Sequence, residues 1–192
     1  MRSIIGVFLG VVAVAVLTAV GGGTTANAST DRVGFTAQAE AAGLSAEKAD
    51  ALQAKVDRYL TKLQGHGKQV SPNQIDLGGA VLNVAVPGEA QPRQLVAPAN
   101  VSLAVAQCVG SAAYQWFCAY QYEYRTGDHI GMWRCDNYFI PWYTTGSWEN
   151  NQTAGTRPVM HFVSTPSQSM PAAYSAQQTG VYWNAVHSIT NC

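Results

Sequence analysis

The chain has 192 residues, with 11 Lys or Arg against 11 Asp or Glu, so its formal net charge is zero and only 11% of it is charged. No cluster of Lys and Arg is present that could neutralise a run of phosphates, which argues against a nucleic-acid partner. The length suits one domain of ordinary size, or a small domain with an appendage.

Residues 1–28 read as a secretory signal. Arg2 supplies the basic start, residues 4–20 form an apolar run, and Ala26-Asn27-Ala28 offers a cleavage site of the A-x-A type. The run approaches the roughly 18 residues that can span a bilayer. Gly21-Gly22-Gly23 and the Thr and Ala residues after it lack a basic stop-transfer flank, however. The mature chain is expected to start at Ser29 and to be secreted, with no membrane association once the signal is removed.

Residues 29–88 form a first region. Leu52, Val56, Tyr59, Leu60 and Leu63 recur on one face of a helix, with Ser45 as N-cap, Glu47 and Asp50 near the positive end and Lys62 near the negative end. Gly65-His66-Gly67 stops this helix, and Gly43 separates it from a shorter helical segment over 37–42. The period then changes to two. Ile75 and Leu77, then Leu82, Val84 and Val86, separated by Gly78-Gly79, predict a β-hairpin. An isolated hairpin is marginal in water, so it must pack on the helix or on the C-terminal half of the chain. Residues 89–100, with Pro92 and Pro98 and no periodicity, read as a linker. The composition changes across it: all five Trp and all four Cys lie beyond residue 101, and no Lys does. Residues 29–88 are therefore expected to be an accessory or pro-segment, separable at the linker.

Residues 101–192 form the second region. Aromatic and β-branched runs over 117–124, 130–135, 158–163 and 181–189 alternate with turn signals, which predicts an all-β sandwich or small barrel. Export places Cys108, Cys118, Cys135 and Cys192 where disulfides persist, so they read as two structural bridges, for which three connectivities exist.

Nothing in the chain reads as an enzyme. His66, His129, His161 and His187 are scattered, neither H-E-x-x-H nor G-x-S-x-G occurs, and Glu123, Asp128, Asp136 and Glu149 suit a solvated surface. His161 and His187 could face each other across adjacent strands, but strand histidines are more often ordinary packing or surface residues, and these two are read as such. No catalytic residue, metal or cofactor is assigned; Asp136-Asn137 and Asn150-Asn151 are read as turn residues rather than calcium ligands. Of Trp133, Trp142, Trp148 and Trp183, three are expected in the core. Trp142, beside Pro141, is a candidate contact for a glycan or cell wall.

The run Cys118-Ala119-Tyr120, then Gly127-Asp128, Cys135, Ile140-Pro141-Trp142, Gly146-Ser147-Trp148 and Asn150-Asn151-Gln152-Thr153, resembles the bacterial secreted metallopeptidase inhibitors with a βγ-crystallin-like fold. The resemblance covers about residues 108–192. It implies a Greek-key sandwich and a secreted peptidase as partner, with a glycan- or cell-wall-binding structural module as the alternative. It also implies a local bridge from Cys108 to Cys118, which leaves Cys135 to Cys192. Gly127 takes the place of the glycine in the crystallin-type hairpin, where positive φ is needed. Arg125 stands where that hairpin usually has an aromatic residue. Loops over 143–155 and 164–174 are the candidates for contact with the peptidase; the inhibitory bond itself is unassigned.

Overall fold

The computed structural model describes residues 25–95 and 106–192. The apolar run over 4–20 and the end of the linker lie outside the described residues. Helix α1 spans Thr25–Ala41, longer than the 37–42 segment expected, and runs through the junction between Ala28 and Ser29. Helix α2, Ala46–Leu63, starts where Ser45 accepts the Lys48 N–H (3.3 Å) and ends at Gln64 in the left-handed region (φ 49°). It buries Ala49, Leu52, Val56, Tyr59 and Leu63. Full burial of side chains such as Leu52, Val56 and Leu63 stabilises by roughly 1.5–3 kcal/mol each.

All strands are antiparallel. A seven-stranded sheet has the order β1 (Lys68–Ser71), β2 (Gln74–Asp76), β3 (Ala80–Asn83), β5 (His129–Met132), β4 (Trp116–Tyr120), β7 (Thr145–Asn151), β10 (Ser175–Tyr182). A four-stranded sheet has the order β6 (Asn137–Phe139), β11 (Val186–Thr190), β8 (Val159–Phe162), β9 (Gln168–Ser169). The chain is thus mainly β, with two antiparallel sheets and two helices.

The hairpin at Gly78-Gly79 forms between β2 and β3, with Leu77 N–H donating to the Ala80 carbonyl (2.9 Å). Beyond the hairpin, β3 pairs with β5, from Ala80 opposite Met132 to Asn83 opposite His129. Residues on either side of the linker therefore share one sheet. They also share one core, in which Leu52, Val56 and Ile75 join Phe117, Ile130, Trp148, Trp183 and Ile189.

Alternation in β4 sends Phe117 and Ala119 into that core, and Cys118 and Tyr120 to a second buried cluster on the opposite face. The run over 181–189 divides into the end of β10, a 3-10 turn (Trp183–Ala185) and β11. Strand β7 falls inside the expected loop over 143–155 and lies between β4 and β10. Its Gly146 is fixed by close approach: a Cβ there would fall on Trp183 Nε1 and on the Tyr120 carbonyl. That indole N–H donates to the same carbonyl (2.7 Å).

Candidate functional site

Both bridges pair as the resemblance implied, Cys108 with Cys118 and Cys135 with Cys192. The first is buried, against Gly131 of β5, where a Cβ would come within 2.9 Å of Cys108 Sγ and 3.0 Å of the Trp116 ring. It closes a loop over 108–118 whose backbone is tied to β7 at several points. Ala112 N–H donates to Glu149 Oε2 (2.9 Å), Asn151 Nδ2 donates to the Ala112 carbonyl (2.8 Å), and Gln115 N–H donates to the Asn151 carbonyl (2.8 Å). At the base of the loop, Ala113 N–H donates to the Gln107 carbonyl (2.7 Å). Glu149 is held in turn by Arg125, whose Nε lies 2.8 Å from Oε2.

From this frame Val109 (42% exposed) and Tyr114 (58%) project into solvent. A cleft of about 330 Å³ lies alongside, lined by Ser111, Ala112, Glu149, Asn151, Tyr174 and Ala176 among others. The loop is built of a 3-10 turn, bends and a tight turn, with Gly110 and Gln115 at positive φ. Closed by the bridge and hydrogen-bonded from below, it can enter a peptide-binding cleft with little loss of conformational entropy.

At the far end of β4, Gly127 has φ +76°, and a Cβ would lie 2.5 Å from the Tyr122 ring. Tyr124 (φ 56°) and Arg125 (φ 62°) are also left-handed, an uncommon conformation for non-glycine residues. Ser147 Oγ holds this turn by donating to the Tyr122 carbonyl (2.8 Å) and accepting the Arg125 N–H (3.0 Å).

The candidate loop over 164–174 is placed differently from that over 143–155. Residues 163–169 are exposed throughout, ahead of and across the two-residue edge strand β9. His161 steadies them through Nδ1 to Ser167 Oγ (2.8 Å), while its Nε2 meets Thr190 Oγ1 (2.8 Å). His161 lies opposite Ser188, so it does not face His187, whose ring instead packs edge-on against Phe139.

Trp142 is not at the surface. It is 2% exposed, buried with Trp148 and Trp183, and its Nε1 donates to Tyr59 Oη (3.1 Å). The exposed tryptophan of the four is Trp133 (42%). Pro141 is itself buried and gives its carbonyl to Lys62 Nζ (2.9 Å), so the Pro-Trp pair forms the seat of α2 rather than a loop tip.

Asp128 is also displaced from the expected surface. Its carboxylate is fully buried and accepts from Lys55 Nζ (2.7 Å), Ala85 N–H (2.7 Å) and Tyr59 Oη. Burial first, then the Asp128 charge, push the Tyr59 hydroxyl far above its ordinary range. This network joins α2, the chain after β3 and the start of β5. The surface preference of a charged residue hid it, and Tyr59 on the buried face of α2 was the one signal that a polar partner had to exist.

Asn150 Nδ2 donates to the Thr156 and Pro171 carbonyls, and Asp136 Oδ1 accepts the adjacent Asn137 N–H. Neither pair forms a turn as expected: Asn150-Asn151 ends β7 and ties it to the chain at Pro171, and Asp136-Asn137 leads into β6. Among the described residues no group of three His, Cys, Asp or Glu side chains is placed to hold a metal ion, and no helix is long and apolar enough to cross a membrane. Complete burial lowers the His129 imidazole to about 3, and burial raises the Tyr120 hydroxyl well above its ordinary value. Their rings are 5.9 Å apart on neighbouring strands. Comparison with protein families, curated proteins and solved structures finds no match to this chain.

Proposed function

We propose that the chain is a secreted inhibitor of extracellular peptidases, of βγ-crystallin-like Greek-key fold, that presents the loop over 108–118 to the enzyme's cleft. The observation that carries the reading is the construction of that loop: a disulfide at its base, backbone bonds to β7, and Val109 exposed at 42% beside the bridge. A peptidase that accepts an apolar side chain would seat Val109. If it cut near Val109, the bridge and the bonds to β7 would keep the new ends together, favouring religation over release. The resemblance of residues 108–192 to metallopeptidase inhibitors makes a metallopeptidase the first choice of target.

The test is titration of residues 29–192 against thermolysin-like, subtilisin-like and trypsin-like peptidases. Inhibition should be strongest for an enzyme with an apolar pocket. Val109→Asp should weaken it by about 100-fold, equivalent to roughly 2.7 kcal/mol, with thermal unfolding unchanged. Val163→Asp, in the loop after β8, should leave inhibition intact. Absence of inhibition in all three classes overturns the function, and loss in Val163→Asp alone moves the site to the other loop.

A further inference from the structure

A second site lies where α2 ends. Lys62, Leu63, Gln64 and His66 face Leu77 after β2, and the edge of the four-stranded sheet from Asp136 to Phe139 with His187 closes a cleft of about 490 Å³. That volume is within the range of small-molecule sites. The walls are of two kinds. Leu63 and Tyr138 are buried, and Leu77 and Phe139 half-buried, so part of the lining is apolar. Around it stand His66, His187, Gln64 and Asn137, each with both donor and acceptor capacity. Neither imidazole has a hydrogen bond to a described residue, and the His187 ring is fixed edge-on against Phe139 at 5.5 Å between centroids.

The electrostatics narrow the ligand. The cleft's ammonium, Lys62, already donates to the Pro141 carbonyl (2.9 Å) and sits 5.2 Å from the Tyr143 ring centroid. Asp136 and the C-terminal carbonyls of α2 add negative character, which disfavours an anion. No metal-binding group of three His, Cys, Asp or Glu exists among the described residues. What fits is a neutral molecule with hydroxyls that both donate and accept, and one apolar face. Tyr143 is not part of the lining, but its ring is 74% exposed and lies beside the Lys62 ammonium, which is.

We propose that this cleft binds a neutral pyranose unit of an extracellular glycan, with the His66 and His187 imidazoles on its hydroxyls and an aromatic ring against its apolar face. The proposal is independent of the inhibitor reading, because it uses none of residues 108–118.

The experiment is amide chemical-shift mapping of residues 29–192 with chitotriose, cellotriose and inorganic phosphate, each up to about 10 mM, enough to see affinities near the millimolar scale. A parallel pull-down on insoluble cell wall distinguishes a polymer-bound source from a free oligosaccharide. Saturable shifts at 62–67, 136–140 and 187–188 with a trisaccharide, weakened about 10-fold in His187→Ala and in Tyr143→Ala, uphold the site. Both positions are exposed, and thermal unfolding should be unchanged in each variant. Val109→Asp should bind sugar like the parent. No shifts with either sugar, shifts with phosphate instead, or sugar shifts that survive both variants, overturn the proposal.

Discussion

Replacing Asp128 with Ala should destabilise the fold more than most single substitutions. The carboxylate is fully buried, and its loss leaves three donors without their acceptor: the Lys55 ammonium, the Tyr59 hydroxyl and the Ala85 N–H. Lys55 can relax toward water, since its side chain is 24% exposed. The Ala85 N–H and the Tyr59 hydroxyl are enclosed, and an unsatisfied buried donor costs about 1–3 kcal/mol. Together with the broken ion pair this gives about 4 kcal/mol, within the 3–5 kcal/mol typical of removing one partner from a buried pair. Urea unfolding followed by tryptophan fluorescence is the assay, because Trp142 is tied to Tyr59. With a slope of about 2 kcal/mol/M, the midpoint should fall by about 2 M. Tyr59→Phe should also be costly, about 3 kcal/mol, because the bond to the Asp128 carboxylate is lost and the buried Trp142 N–H loses its acceptor. A shift of less than about 0.5 M for Asp128→Ala would refute the reasoning, since it would mean that water reaches these groups and satisfies them.

Burial that holds the His129 imidazole at about 3, against about 6.5 in the unfolded chain, makes the unfolded state bind the extra proton as pH falls. The stability of the parent relative to His129→Phe should be full above about pH 6.5 and fall by about 3 kcal/mol by pH 4, while parallel pH profiles would reject this. Gly146→Ala should cost about 3 kcal/mol or prevent folding, because the new methyl group meets the Trp183 indole and the Tyr120 carbonyl within a central strand; a thermal midpoint within about 2 °C of the parent would contradict it. A nick in the linker should leave both fragments in one particle that unfolds in one transition, given the β3–β5 pairing. Separation of a stable fragment starting near residue 101 on gel filtration would instead establish the removable segment that the composition suggests.

Local signals reached some of this architecture and missed the rest for physical reasons. Helix α2 was legible because Ser45 and the spacing from Leu52 to Leu63 act within the helix itself, and the β2–β3 hairpin because Gly78-Gly79 interrupts a period-two pattern. Strand β7 was not legible: Thr145-Gly146-Ser147 and Asn150-Asn151 look like turn residues, yet Gly146 answers to Trp183 and Asn150 to Pro171. Asp128 reads as surface because its compensating cation lies 73 residues away in sequence, at Lys55. Trp142 was misplaced for the same reason, its partner Tyr59 being 83 residues away. The loop over 108–118 was legible only as a bridge; that its backbone is braced by β7 required β7 to be a strand.

The sheet edges explain why binding is assigned to a loop and a cleft rather than to strand addition. An exposed regular edge invites pairing with another chain, and proteins blunt it with bulges, charge or shortness. Here β1 carries Lys68 and a register shift between Gln69 and Ser71. At the opposite edge β10 has no charged residue, but its register breaks between Gln177 and Val181, and the Gly180 N–H is taken by Glu123 Oε1 (2.9 Å). In the smaller sheet β9 has two residues and β6 three, too few to template a long pairing. The free edge of β6 does not open onto bulk solvent alone, because α2 ends against it and the space left between them is the 490 Å³ cleft. The same helix that the Asp128 network fastens to the larger sheet thus forms one wall of the proposed glycan site. The loop over 108–118 hangs from β4 and β7, away from that network. Loosening α2 should therefore weaken sugar binding first and peptidase inhibition last.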